Sequence, residues 1–209
     1  TRVRHSVNQN SLKLYDKQGS VLRPECTINN TREFRIYRVR ESDPDGPKSW
    51  QRLRKGVEDL PRRAEISHAA CSRYLTALAE VDSKIPLGEV ADAIRRPVLR
   101  EKRRSRGLQP LSGLDAELAA ILLRGEFALN GIRNRDIRER LPPDTTSATD
   151  QRRQSGQVSR LLRLFSEHAL IRELSGTHRY HLTAEGRRRL PAFIIARHAT
   201  TEKLTQLAS

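Results

Sequence analysis

Residues 151–171 read QRRQSGQVSRLLRLFSEHALI, and this stretch decides the fold of the second half of the chain. Its apolar residues recur with the i, i+3, i+4, i+7 spacing of a helix that packs one stripe against a core: Val158, Leu161, Leu162 and Phe165. The opposite face and its flanks carry side chains that can reach phosphates or base edges: Arg152, Arg153, Ser155, Gln157, Ser159, Arg160 and Arg163. The pattern predicts an amphipathic helix whose basic face remains available to a partner.

Residues 171–190 continue with IRELSGTHRYHLTAEGRRRL, which predicts a basic hairpin and a closing helix. Ser175 and Gly176 suit the turn between two short strands. His178 and Arg179 place positive charge at the tip of this hairpin, and Thr183 is a favourable N-cap for the next helix. That helix is expected to pack on the core or on a second copy of the chain through Leu190, Phe193, Ile194 and Ile195.

The residues upstream predict the remaining elements of the same domain. Ser112 is expected to cap a first helix, and residues 127–129 predict a short strand. Asn134 is expected to cap a second helix, which stops at the proline pair that opens the polar stretch 142–150, PPDTTSATD. Residues 110–209 therefore predict one domain of helices closed by a hairpin.

The segments HALIRE, THRYHLT and AEGRRRL make residues 110–197 similar to the winged helix-turn-helix domains of bacterial DNA-binding proteins. In that family an aromatic-x-Leu-Thr-x-x-Gly-[Arg/Lys] stretch closes the wing, and the matching residues here are Tyr180, Leu182, Thr183, Gly186 and Arg187. The resemblance implies that residues 152–163 enter a major groove, that residues 175–179 follow the backbone or the minor groove, and that Arg187 joins the DNA-binding set. The chain departs from the family at PPDTTSATD, where the family has a tight turn.

The charge balance favours an acidic polymer as partner. The chain has 40 Lys+Arg against 25 Asp+Glu, a formal net charge of +15 and a pI near 10.9, and Arg greatly outnumbers Lys. Arginine suits bidentate contacts with phosphates and guanine edges. The expected partner is double-stranded DNA, although a high-GC genome that overuses Arg codons would also enrich arginine.

Several other classes of protein find no support in the sequence. No stretch approaches 18 apolar residues and no signal peptide opens the chain, so we expect a cytoplasmic protein without a membrane partner. Cys26 and Cys71 lack metal-like spacing and are expected to be reduced, partly buried thiols. The six histidines show no zinc spacing, and we expect no cofactor and no small-molecule ligand.

The chain contains no methionine, not even at position 1, and it starts within a predicted strand. We therefore expect it to be the C-terminal portion of a longer protein.

The first half of the chain divides into three predicted segments. Residues 1–41 predict the β-rich end of an upstream domain, with a hairpin turn at residues 16–19 and an edge strand or bulge at Pro24. Residues 42–99 predict a helical connector, and residues 100–109 predict a basic linker that also touches phosphates. The helices expected in the connector cover 50–60, 61–81 and 87–95.

Residues 10–25, NSLKLYDKQGSVLRPE, carry the catalytic candidates Tyr15, Asp16 and Glu25. Acids paired across a hairpin could hold a divalent metal for phosphodiester cleavage, with Lys13 or Lys17 steadying the phosphate and Tyr15 as a nucleophile. This run is similar to strands in the nuclease domain of rolling-circle replication initiators, whose paired-histidine motif is not visible here. The alternative is an ordinary hairpin with an Asp-initiated turn and a cross-strand salt bridge.

Together these patterns predict an α+β chain with an N-terminal β-hairpin element, a helical connector and a C-terminal winged helix-turn-helix domain. The predicted function is a bacterial DNA-binding protein that docks a basic helix and a wing on duplex DNA, with a homodimer through the last helix as a further expectation. One alternative is a DNA-processing enzyme of a mobile element, a transposase or replication initiator, whose catalytic core lies mostly upstream and which alone would use a divalent metal. A structural role in dimerisation or protein docking is the other.

Overall fold

The computed structural model describes residues 2–17, 19, 21–79, 86–100, 103–141 and 147–200. It has mixed helices and small antiparallel sheets, which confirms the predicted α+β class. The chain forms two compact units: Thr1–Leu78 with Gly125–Asn130, and Ala79–Arg124 with Gly131–Ser209. This division differs from the predicted boundaries after residues 41, 99 and 109, because the first helix packs with the N-terminal strands instead of serving as a connector.

The first unit begins with a three-stranded antiparallel sheet in the order β1 (Arg2–Val7), β2 (Asn10–Lys17) and β3 (Val21–Thr27). The turn between β2 and β3 is the predicted one, since Asp16 Oδ1 accepts the Gly19 N–H at 2.9 Å and Gly19 has φ 68°. Glycine adopts this left-handed conformation without the steric cost of a Cβ. Pro24 lies in β3, which is an edge strand as expected, since an edge position tolerates the missing N–H.

A second ribbon pairs β4 (Arg35–Arg38) with β5 (Ser49–Arg52). This corrects the helix expected over residues 50–60, since pairing with β4 holds residues 50–52 extended and the helix begins only after a 3-10 turn at Val57–Asp59. The helix α1 (Leu60–Ala79) buries Ala70 and Tyr74 against Leu12 of β2 and Leu129. The expected end of this helix at Val81 lies outside the described residues.

The second unit holds the remaining elements. They are α2 (Leu87–Arg95), β6 (Val98–Arg100), β7 (Arg103–Ser105), α3 (Gly113–Leu122), α4 (Asn134–Arg138), α5 (Ala148–Glu167), β8 (Ile171–Leu174), β9 (Arg179–Leu182) and α6 (Ala184–His198). The strands pair β6 with β7 and β8 with β9, both antiparallel. An isolated bridge between Ile132 and Tyr180 adds a third, single-residue strand to the latter hairpin.

Two segments of the second half differ from expectation. The basic linker expected over 100–109 is the β6–β7 hairpin followed by a buried Leu108, whose N–H donates to the Ile94 carbonyl at 2.9 Å. The strand expected at 127–129 is a 3-10 turn, Gly125–Ala128, and belongs to the first unit, whereas the strand-like pairing falls at Ile132. Glu101, Lys102 and residues 142–146, with the expected Pro142 helix stop, lie outside the described residues.

The helix termini explain how α4, α5 and α6 begin. The N-cap of α4 is Arg133 instead of the expected Asn134, because the Asp136 carboxylate accepts the Arg133 N–H at 2.8 Å. Ser147 caps α5 by accepting the Asp150 N–H at 3.2 Å. Thr183 caps α6 as expected, accepting the Gly186 N–H at 3.0 Å.

None of the described helices combines the length and the apolar character needed to cross a lipid bilayer.

Candidate nucleic-acid interface

Helix α5 presents its two faces as the sequence predicts. The apolar stripe is anchored in the core of the second unit, with Val158, Leu161, Leu162 and Phe165 all buried. On the opposite side Arg152, Arg153 and Arg160 are exposed, and within the described part of the chain their guanidinium groups have no hydrogen-bond or ion-pair partner. Because the helix is held by one face, these cations sit on a rigid element and not on a loop.

Arg163 lies on the same exposed side, with 56% of its side chain accessible. Its Nε is 3.7 Å from Glu167 Oε1, which is the i,i+4 spacing of a helical surface pair. Glu167 is the less exposed partner, with 15% of its side chain accessible, and it also accepts a hydrogen bond from Ser105 Oγ, so Arg163 is not its only partner.

Ser155 and Ser159 face α4 and join the two helices. The Asn134 side-chain amide donates to the Ser155 carbonyl and to Ser159 Oγ, both at 2.9 Å, and Arg138 Nε donates to Asn134 Oδ1 at 3.1 Å. The sequence placed both serines among base-reading residues, whereas the structure uses them to fix α5 against α4. The hydroxyl of Ser155 also donates to Asn134 Oδ1, at 3.4 Å, so both serine side chains help to position the arginine face.

On the other flank of α5 an open cavity of 600 Å³ lies between α5, β7 and the start of α3. Gln157 and Arg160 line it, together with Arg104 of β7. Arg104 is exposed and has no partner within the described residues, so it adds a cation beside the predicted set. The basic run 100–107 was the sequence signal for it, but only the hairpin brings it to α5.

Arg106 lines the same cavity but its charge is already balanced. Its Nη1 and Nη2 donate to the two carboxylate oxygens of Asp115, each at 2.7 Å. The hydrogen bonds that Arg106 donates to Asp115 raise the pKa of its guanidinium above the ordinary value. Arg106 therefore holds the cavity wall together and adds no free charge to it.

The hairpin β8–β9 carries its charges differently from expectation. His178 lies at the tip with φ 50° and a 95% exposed side chain, and its Nδ1 is 3.4 Å from Glu173 Oε1. Arg179 is only 3% exposed, so it is removed from the phosphate-contacting set. Arg172 of β8 lies on the same face of the hairpin as Arg179 but is exposed, and it has no partner within the described chain, so its charge is available.

Arg187 has a structural contact instead of an outward one. Its Nη1 donates to the Leu182 carbonyl at 3.0 Å, and the residue is half-buried. This bond joins the end of β9 to the first turn of α6.

The two acidic catalytic candidates, Asp16 and Glu25, do not converge, and Tyr15 lies on the same face of the sheet as Glu25. In the β2–β3 register Asp16 opposes Leu22 while Glu25 opposes Lys13, so the two carboxylates point to opposite faces of the sheet. Glu25 is bound to Lys13 Nζ at 3.1 Å, and Asp16 is engaged with the Gly19 N–H. These contacts are the Asp-initiated turn and cross-strand salt bridge of an ordinary hairpin. Nowhere in the described residues do three His, Cys, Asp or Glu side chains come together as a metal site.

Comparison with protein-family models, with curated proteins and with solved structures finds no match to this chain.

Proposed function

We propose that the second unit binds duplex DNA, with α5 in the major groove and the β8–β9 hairpin along the phosphate backbone. The observation that carries the proposal is the outward face of α5, where Arg152, Arg153 and Arg160 are exposed and uncommitted while the opposite stripe is buried. A major groove about 12 Å wide admits one helix, and arginine matches both phosphates and guanine edges.

The order of elements supports a winged helix-turn-helix reading of this unit. The chain runs through α3, the Ile132 bridge, α4, α5, the β8–β9 hairpin and α6, which is the helix, short strand, two helices and wing of that architecture. The contacts of Asn134 with Ser155 and Ser159 set the position of α5 relative to α4. In such domains the second of the paired helices enters the groove, and here that helix is α5.

The test is a titration of the full chain with a fluorescently labelled duplex, followed by anisotropy at two salt concentrations. Arg152→Gln with Arg160→Gln should weaken duplex binding at least tenfold, about 1.4 kcal/mol. The matched control is Arg4→Gln with Arg23→Gln, which removes the same charge from exposed positions in the first unit. Equal losses in the two variants would mean that net charge alone attracts DNA and would overturn α5 as the interface.

No contact supports the enzymatic alternative within the described residues, since Asp16 and Glu25 lie on opposite faces of the sheet and cannot share one metal ion. Leu190 and Phe193 of α6 are buried in their own unit, so the homodimer through this helix stays a prediction. A cytoplasmic location forms part of the proposal, because duplex DNA must be accessible to the protein.

A further inference from the structure

The β4–β5 ribbon of the first unit has one face made of a pair of aromatic rings beside a pair of arginines. In its register Arg35 opposes Arg52 and Tyr37 opposes Trp50, which places all four side chains on the same side. All four residues are exposed, Tyr37 by 56% and Trp50 by 61%. The two rings contact each other at a centroid distance of 5.4 Å and an angle of 55°.

Packing within the unit does not explain this exposure. The other face of the ribbon is half-buried and is occupied by smaller or polar side chains: Ile36, Arg38, Ser49 and Gln51. A register shifted by one residue would have buried the aromatic pair on that side. Trp50 is the only tryptophan in the chain, and an exposed aromatic pair costs hydrophobic stabilisation that burial would have gained.

The arginines on the two faces also differ in whether they have an ion-pair partner. On the inner face Arg38 Nη1 binds the buried Asp59 carboxylate at 2.9 Å. On the outer face the guanidinium groups of Arg35 and Arg52 have no ion-pair or hydrogen-bond partner within the described residues. The outer face therefore combines stacking surface with two available positive charges.

We propose that this face, formed by Arg35, Tyr37, Trp50 and Arg52, binds single-stranded nucleic acid. Unpaired bases stack on Trp50 and Tyr37, and the flanking phosphates contact Arg35 and Arg52. A duplex cannot use the rings in this way, because its bases are already stacked on one another. The site lies in the first unit and does not depend on duplex binding by α5.

The sole tryptophan makes the test specific, since intrinsic tryptophan emission reports on Trp50 alone. The full chain is titrated with an oligothymidine single strand and, separately, with a duplex of the same length. We expect the single strand to quench the emission and the duplex to leave it nearly unchanged. Arg35→Gln with Arg52→Gln should weaken the single-strand Kd at least tenfold, while Arg4→Gln with Arg23→Gln should change it less than threefold.

Further variants separate this site from the one on α5. Arg152→Gln with Arg160→Gln should leave the quenching curve intact even where it abolishes duplex binding. Tyr37→Ala retains the reporter and should weaken single-strand binding, and Trp50→Ala is followed with a dye-labelled strand and should do the same. Circular dichroism checks that each variant is folded.

Three results would overturn the proposal. The first is an absence of quenching by the single strand, and the second is equal quenching by the duplex. The third is an emission shift that depends on protein concentration without any nucleic acid, which would make the face an interface between copies of the chain.

Discussion

Arg106 and Asp115 form a two-point ion pair that closes the segment between β7 and α3. Both guanidinium nitrogens lie 2.7 Å from a carboxylate oxygen, and the carboxylate also accepts the Gln109 N–H at 2.9 Å. The Asp115 side chain is 4% exposed, whereas that of Arg106 is 55% exposed. One buried acid therefore accepts hydrogen bonds from three donors and links the ends of this segment.

Asp115→Ala should lower the free energy of unfolding by about 2 kcal/mol, because it leaves the Gln109 N–H and the guanidinium without their acceptor. Urea denaturation followed by circular dichroism measures the change. The matched control is Glu117→Ala, which removes an acid from the same helix whose pair with Arg197 is exposed at the surface. That control should change stability by less than about 1 kcal/mol, and equal effects would contradict the special role of Asp115.

Gly186→Ala should destabilise the second unit by about 2 kcal/mol, because the new Cβ would overlap the Leu170 carbonyl oxygen where α6 starts. Gly156→Ala is the contrasting variant, since its Cβ would meet only Arg160 Nη1 at 3.6 Å. Alanine inside a helix is favoured over glycine by about 1 kcal/mol, so this second variant should raise the midpoint of thermal unfolding. A stabilising Gly186→Ala would show that α6 does not pack as described.

Arg172→Gln should weaken duplex binding equally for all sequences and reduce the slope of log Kd against log salt by about one unit. The reason is that Arg172 of β8 is exposed and therefore suited to a phosphate contact. Arg179→Ala should instead lower the unfolding midpoint and leave the salt slope of the folded protein unchanged, because Arg179 is buried. The opposite pattern would place Arg179 outside the core.

The thiols of Cys26 and Cys71 should make the free energy of unfolding depend on pH. Burial is the main cause that raises the pKa of both above the ordinary value of 9.0. The unfolded chain then releases these protons at lower pH than the folded chain, so stability is full below about pH 9 and falls as the pH rises further. Urea midpoints at about pH 7.5 and 9.5 should show this loss, and it should shrink in Cys26→Ala with Cys71→Ala.

Burial also raises the pKa of Tyr74 and of Tyr180 above 10.0. These two groups should therefore also lower the free energy of unfolding as the pH rises, but at a higher pH than the thiols. A pH dependence that is unaltered in the double cysteine variant would assign the effect to the tyrosines. Native-state reaction of the two thiols with a disulfide reagent gives an independent check, and it should be slower than in urea because the thiolate is the reactive form.

The sequence by itself determined the features that depend on local spacing. The 3.6-residue period in residues 151–171 was sufficient to divide α5 into a buried stripe and an exposed arginine face. Local hydrogen bonds likewise fixed the Asp16 turn and the Thr183 cap, because both ends of each bond lie within three residues. Such features need no distant partner.

The tertiary structure decided everything that depends on pairing between distant segments. Residues 49–52 became a strand because β4 pairs with them, and the basic run after residue 97 became a hairpin that brings Arg104 to α5. Strand register turned Asp16 and Glu25 to opposite faces of their sheet. Packing around the β8–β9 hairpin buried Arg179 and left Arg172, on the same face, exposed. Because side chains alternate along a strand, a shift of one residue in register decides whether a charged group faces solvent or protein. The residues of one strand alone do not determine that register, because it depends on the partner strand.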